Sequence, residues 1–156
     1  DIIRRTNEVC PVTAIQNIYS MLERDTANLI PVLEELNIGL VTHCPLAKGF
    51  LTAAYDKNAV FPEGDWRGRM ELFTEDGIRK HQAVLDLIQS KAAEKRATPA
   101  QISLAWIMGK KPWIVPIPGT RKLERMIENG RAAEVHLTAA EIAEIDRALD
   151  AFSGKE

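Results

Sequence analysis

The stretch Ile38-Gly39-Leu40-Val41-Thr42-His43-Cys44-Pro45 decides the fold class. Its apolar and β-branched residues read as a short buried strand, and Pro45, which has no N–H for a sheet ladder, breaks it after His43. Upstream, Leu29, Val32, Leu33 and Leu36 recur at helical spacing behind Asp25 or Asn28, either of which serves as an N-cap, with Pro31 near the first turn. Before that helix, Val12 to Ser20 is rich in apolar and β-branched residues and reads as another strand. The order is therefore strand, helix, strand.

Downstream, residues Lys48 to Thr74 carry scattered Gly, Pro and aromatic residues without a period, which predicts a long loop with room for a short helix; loops of this length are often functional. Ile78, Leu85, Ile88 and Ala92 predict one long amphipathic helix ending near Arg96. Thr98-Pro99-Ala100-Gln101 combines a capping box with proline at the first helical position and opens a helix to about Met108. Trp113 to Ile117 is a third strand, and Pro118-Gly119-Thr120 turns into a helix carrying Leu123, Met126 and Ile127. Thr138-Ala139-Ala140-Glu141 is a second capping box, and the last helix places Ile142, Ile145, Leu149 and Phe152 on one face, so it is expected to dock. Alternating strands and helices predict an α/β fold of about three parallel strands with crossover helices and a C-terminal helix. Three strands leave both sheet edges open, and a closed (β/α)8 barrel takes about 250 residues, so this chain supplies about half of one.

Composition agrees with a globular domain: 46% of the 156 residues are apolar and 27% charged. The net charge of −2 comes from 20 basic and 22 acidic residues mixed along the chain, which gives no basic tract for nucleic acid. No apolar run reaches the roughly 18 residues of a membrane span, and Asp1-Ile2-Ile3-Arg4-Arg5 lacks the apolar core of a signal peptide. The expectation is a cytoplasmic protein with no membrane partner. Cys10 and Cys44 have no metal-ligand spacing and are expected to be reduced packing residues.

The strongest chemical signal is Pro118-Gly119-Thr120-Arg121-Lys122-Leu123-Glu124-Arg125. Three cations fall in or about the first turn of a helix, where the dipole disfavours them, so an anion is expected there. Free N–H groups and two arginines at i and i+4 make a phosphate site; the competing reading is a solvated helix start whose arginines pair with Glu124 and Glu128. Gln16, in a strand read as buried, must bond backbone or a ligand amide, or incur a desolvation cost of about 1–3 kcal/mol. His43 lies at the end of a strand where barrel enzymes build their sites, although a rim residue fits as well. His81 and His136 have no metal or nucleophile partner in the pattern. Asp65-Trp66-Arg67 either touches substrate or holds the loop through its tryptophan.

Taken together and in this order, Pro11-Val12-Thr13-Ala14-Ile15-Gln16 with Tyr19-Ser20, Arg24-Asp25, Cys44-Pro45-Leu46-Ala47-Lys48-Gly49-Phe50-Leu51, Asp65-Trp66-Arg67, Thr98-Pro99-Ala100-Gln101, and Ile114 to Arg121 with Glu128-Asn129 resemble the aldo-keto reductase family. The spacing is similar to that of the bacterial and plant members related to potassium-channel β subunits. The resemblance implies that residues 1–156 are the C-terminal half of a TIM (β/α)8 barrel, binding NADP across the C-terminal ends of its strands and reducing aldehydes or ketones by hydride transfer. It implies that Gln16 bonds the nicotinamide carboxamide and that His43 stacks on the ring, where the family usually has a larger aromatic. Cys44, Pro45, Leu46, Lys48 and Gly49 match the segment over the pyrophosphate. Gly119, Thr120, Arg121 and Arg125 match the 2′-phosphate site, and Glu128 and Asn129 the adenine contacts. The family's Asp, Tyr, Lys and His tetrad and its Ser-Asn pair precede the matching region. No catalytic residue is therefore expected in this chain, which alone is expected to be inactive toward a small carbonyl substrate. The alternatives are a non-catalytic half barrel that binds nucleotide or a partner, and a channel-regulatory subunit. Open strand edges predict self-association or pairing with the missing half.

Overall fold

The computed structural model describes residues 1–153. Three parallel strands, β1 (Ala14–Ile18), β2 (Gly39–His43) and β3 (Ile114–Pro116), lie side by side in chain order, with β2 in the centre. Leu40 of β2 stands between Ile15 and Ile114, and Val41 between Gln16 and Val115. Because side chains alternate across a strand, the sheet has two unlike faces. One carries Leu40, Thr42 and Ile114, all buried under helices. The other carries Ala14, Gln16, Val41, His43 and Val115, of which Ala14, Gln16 and Val115 are exposed.

That second face corrects the reading of Gln16. It was expected in a strand that otherwise reads as buried, where an unbonded amide is costly; it is exposed, so water can satisfy it and no internal partner is required. Both outer strands are also shorter than Val12 to Ser20 and Trp113 to Ile117, since apolar residues continue past the point where pairing stops.

A 3-10 turn over Asp25–Leu29 and α2 (Ile30–Glu35), with Pro31 in its first turn, cross from β1 to β2. From β2 the chain runs through 3-10 turns at Ala47–Thr52, Trp66–Arg69 and Glu71–Phe73 into α3 (Glu75–Lys80), α4 (Gln82–Lys95) and α5 (Pro99–Met108), before returning as β3. The single helix expected from Ile78 to Arg96 is broken at His81, whose Nδ1 lies 2.7 Å from the carbonyl oxygen of Gly77. The Thr98 capping box is present in full, and α5 behind it is buried from Ile102 to Ile107. A helix not anticipated from the sequence, α1 (Ile2–Val9), precedes β1 and buries none of its residues.

After β3 come α6 (Leu123–Gly130) and α7 (Ala139–Ser153). Thr138 and Glu141 bond reciprocally, as the second capping box predicts. Ile145 and Leu149 are buried, Trp106 Nε1 donates to Asp146 at 2.9 Å, and Lys91 meets Glu144 at 2.9 Å, so the last helix is docked. The core between sheet and helices holds Tyr19, Leu33, Leu40, Ile88, Trp106 and Ile114. Burying side chains of this size contributes about 1.5–3 kcal/mol each.

Candidate functional site

In a parallel sheet all strands end on the same side, so the segments leaving β2 and β3 are brought together. The β2 exit is an unusual backbone. Cys44, Ala47, Lys48 and Ala53 all have left-handed φ, between 46° and 62°, and Gly49 has φ 96°, a value side-chain-bearing residues rarely adopt. Each such non-glycine residue costs about 1–3 kcal/mol and persists only where the surroundings impose it. Here Ala47 N donates to Cys44 O and Gly49 N to Leu46 O, both at 2.9 Å, while buried Phe50 and Leu51 fix the far end.

The β3 exit is Pro118-Gly119-Thr120, where Thr120 Oγ1 accepts from Lys122 N at 3.1 Å. The helix then starts at Leu123 with Lys122 as its N-cap. This corrects the expected geometry: Arg121 and Lys122 lie ahead of the first turn rather than in it, and only Arg125 is helical, so the two arginines are not an i, i+4 pair on one helix. Nor do they pair with Glu124 and Glu128. Arg121, Lys122 and Arg125 are exposed and take part in none of the ion pairs among the described residues.

Between the two exits lies an open cavity of about 520 Å³. Cys44, Pro45, Leu46, Lys48 and Gly49 form one wall, and Gly119, Thr120, Arg125, Glu128 and Asn129 the other. All the residues expected to hold a cofactor therefore line it except Gln16, His43 and Arg121. Gln16 and His43 lie instead on the open face of the sheet, His43 in register with Ile18. Arg121 is exposed outside the lining.

The long loop closes a third side with Tyr55, which sequence reasoning did not place there, and with Arg67 of the Asp65-Trp66-Arg67 stretch expected to touch substrate or hold the loop. Asp65 Oδ1 accepts from Arg67 N at 3.1 Å and from Arg67 Nε at 2.9 Å, and a guanidinium NH2 reaches Oδ2. The remaining terminal nitrogen donates to the Tyr55 hydroxyl, and the guanidinium lies over the Tyr55 and Phe61 rings at 5.3 and 5.4 Å. The Arg67 hydrogen bonds hold the Asp65 carboxyl below its usual range against the opposing effect of desolvation. The loop is thus held by its arginine. Trp66, the expected anchor, is 54% exposed, with the Lys48 ammonium 5.5 Å from its ring. The Asp-x-Arg spacing was the available signal for this arrangement.

With Arg67 neutralised by Asp65, the cavity retains Lys48 and Arg125 against the single carboxylate of Glu128, which favours an anionic ligand. Gly119 leaves the backbone of its cavity wall bare, since a Cβ built there meets no atom of the chain within 4 Å, as is also true of Gly64 and Gly130. Among the described residues no group of His, Cys, Asp and Glu is placed to hold a metal, and both cysteines are free thiols. His81 packs edge-on to Phe50 within the core, and His136 is exposed.

Comparison with known proteins gives the same frame. The chain is 37% identical over 152 residues to the Schizosaccharomyces pombe aldo-keto reductase yakc [NADP(+)], an alignment covering 95% of this chain and 45% of that protein. The chain thus spans a little under half the length of that relative. Its fold superposes on the glycerol dehydrogenase AKR11B4 of Gluconobacter oxydans with a TM-score of 0.84 at 22% identity, covering 94% of this chain and 45% of the other. An aldo/keto reductase of Klebsiella pneumoniae solved with NADP and acetate matches with a TM-score of 0.61 at 25% identity, over 86% of this chain and 38% of that one. These superpositions identify the three strands and their helices as part of a (β/α)8 barrel. The sequence model of the aldo/keto reductase family matches residues 1–150, and the chain belongs to that family.

Proposed function

We propose that this chain is the cofactor-phosphate half of an NADP-dependent oxidoreductase that reduces aldehydes or ketones to alcohols. The observation that carries the proposal is the convergence of the two strand exits on one cationic cavity. The NADP binding named for the S. pombe and K. pneumoniae proteins supports the choice of anion.

In this reading Lys48 and the left-handed segment Cys44 to Gly49 face the pyrophosphate, and the backbone at Gly119 and Thr120 approaches the 2′-phosphate. Arg121 and Arg125 supply its counter-charge; free of ion pairs among the described residues, they bind without first breaking such a partner. Glu128 and Asn129 accept and donate to the adenine edge. Gln16, exposed on the sheet face, offers its amide to the nicotinamide carboxamide, and the His43 imidazole offers a stacking surface smaller than a phenol or indole. Bound NADPH supplies the hydride. Proton delivery to the carbonyl oxygen needs a general acid, worth about 10² to 10⁴ in rate, and no residue of this cavity is assigned that role. The chain alone therefore binds cofactor and does not turn over. Among the described residues no helix is long and apolar enough to cross a membrane.

The test is the double variant Arg121→Ala/Arg125→Ala. Loss of NADPH affinity down to the level of NADH supports the assignment. Retention of the wild-type preference for NADPH removes both arginines from the 2′-phosphate site.

A further inference from the structure

The sequence gives Gln101 a role as the partner of Thr98 in a capping box, yet its side chain is engaged at both ends. Its Oε1 accepts from Thr98 N at 2.9 Å, completing the cap of α5. Its Nε2 donates at 3.0 Å to the carbonyl oxygen of Glu128, 27 positions away on α6. Glu128 is in the last turn of α6, where helix carbonyls run out of partners within their own helix. One amide therefore caps the start of one helix and the end of another. The same α6 segment presents Arg125, Glu128 and Asn129 to the cavity, and Ala100, next to Gln101, is part of the cavity wall. None of the residues of α6 is buried, although the helix runs directly into the 3-10 turn Arg131–Glu134, whose Ala132 is buried.

We infer that Gln101 is a positioning residue for cofactor specificity: by bonding the Glu128 carbonyl it fixes the rotation and depth of α6, and through α6 the groups that read the adenosine 2′-phosphate. This rests on the reading of the cavity as an NADP site. It assigns no contact between Gln101 and the cofactor.

The two roles of the amide separate chemically. Gln101→Glu keeps an oxygen that accepts from Thr98 N, and a carboxylate at that position suits the positive end of the α5 dipole. It has no hydrogen to donate to Glu128. Gln101→Ala loses both bonds. The experiment is fluorescence titration of the 156-residue chain and the two variants with NADPH and with 2′-AMP, beside their thermal midpoints. The expected result is that Gln101→Glu unfolds at the wild-type temperature but binds 2′-AMP and NADPH about three- to tenfold more weakly, the change that loss of one hydrogen bond carries. Gln101→Ala should lose both stability and affinity. Wild-type affinity in Gln101→Glu overturns the inference and leaves the NADP site standing. An equal fall in thermal midpoint for both variants also overturns it, since the amide then acts on the fold as a whole. A wild-type chain that binds neither ligand overturns the NADP reading and this inference with it.

Discussion

Tyr19 and Trp106 stack with ring centroids 5.5 Å apart and planes 25° from parallel, joining the end of β1 to the middle of α5. Both are buried, and burial first, then the nearby Asp146 carboxylate, pushes the Tyr19 hydroxyl up to about 12, so this tyrosine stays neutral. Asp146 accepts from Trp106 Nε1 and also pairs with Lys110, whose ammonium lies 4.3 Å from the Trp106 ring. Trp106→Phe keeps a stacked ring and forfeits the bond to a charged acceptor, an expected cost of about 1.5–3 kcal/mol. Trp106→Ala removes the ring as well and is expected to cost about 3–5 kcal/mol. Urea unfolding of the two variants checks the order; equal losses would show that the stack contributes nothing beyond the hydrogen bond.

Glu141 gives a pH signature. Its carboxyl is held down to about 2, first by the hydrogen bond from Lys95 and then by the Thr138 backbone N–H. A carboxylate depressed in the folded state stabilises the fold above its unfolded value, near 4.5, and loses that contribution as pH falls toward 2. Glu141→Gln should therefore be less stable than wild type at pH 7, with the difference closing between about pH 4.5 and 2. A stability gap of the same size at pH 7 and pH 2 would remove the ion pair with Lys95 from the account.

The open sheet edges predict association. Val115 is 54% and Leu123 64% exposed, and Ile117, Met126 and Ile127 are exposed beside them, so the β3 edge is flanked by bare apolar surface. On the far side, β1 has no neighbour beyond it among the described residues. Unpaired apolar edges recruit other strands. Light scattering at micromolar concentration is expected to show at least a dimer, or slow aggregation, for the 156-residue chain. A stable monodisperse monomer of 17.4 kDa would contradict this.

Much of the fold was legible because it rests on local rules. The strand Ile38 to His43 ends where Pro45 requires, both capping boxes form, and the cavity walls at Cys44 to Gly49 and Gly119 to Asn129 come together as parallel strand ends must. What was not legible depends on distant neighbours. Nothing in the strand itself tells that Gln16 faces an uncovered side of the sheet, because period-two alternation gives two faces without saying which is packed. The break at His81, where a ring nitrogen meets the same Gly77 carbonyl that the backbone N–H reaches, leaves no mark in the apolar spacing, which continues across it. Arg67 and Tyr55 sit in a stretch with no period, so only folding of the loop brings them to the cavity.

The most direct measurement is the affinity of the 156-residue chain for NADPH and for NADH, titrated under identical buffer and salt. The two differ by one phosphate dianion, and charge-assisted hydrogen bonds to arginine contribute about 1.5–3 kcal/mol, so NADPH is expected to bind at least about tenfold more tightly. Equal affinity for the two nucleotides, or binding of neither, would contradict the assignment of this cavity to the phosphates of NADP.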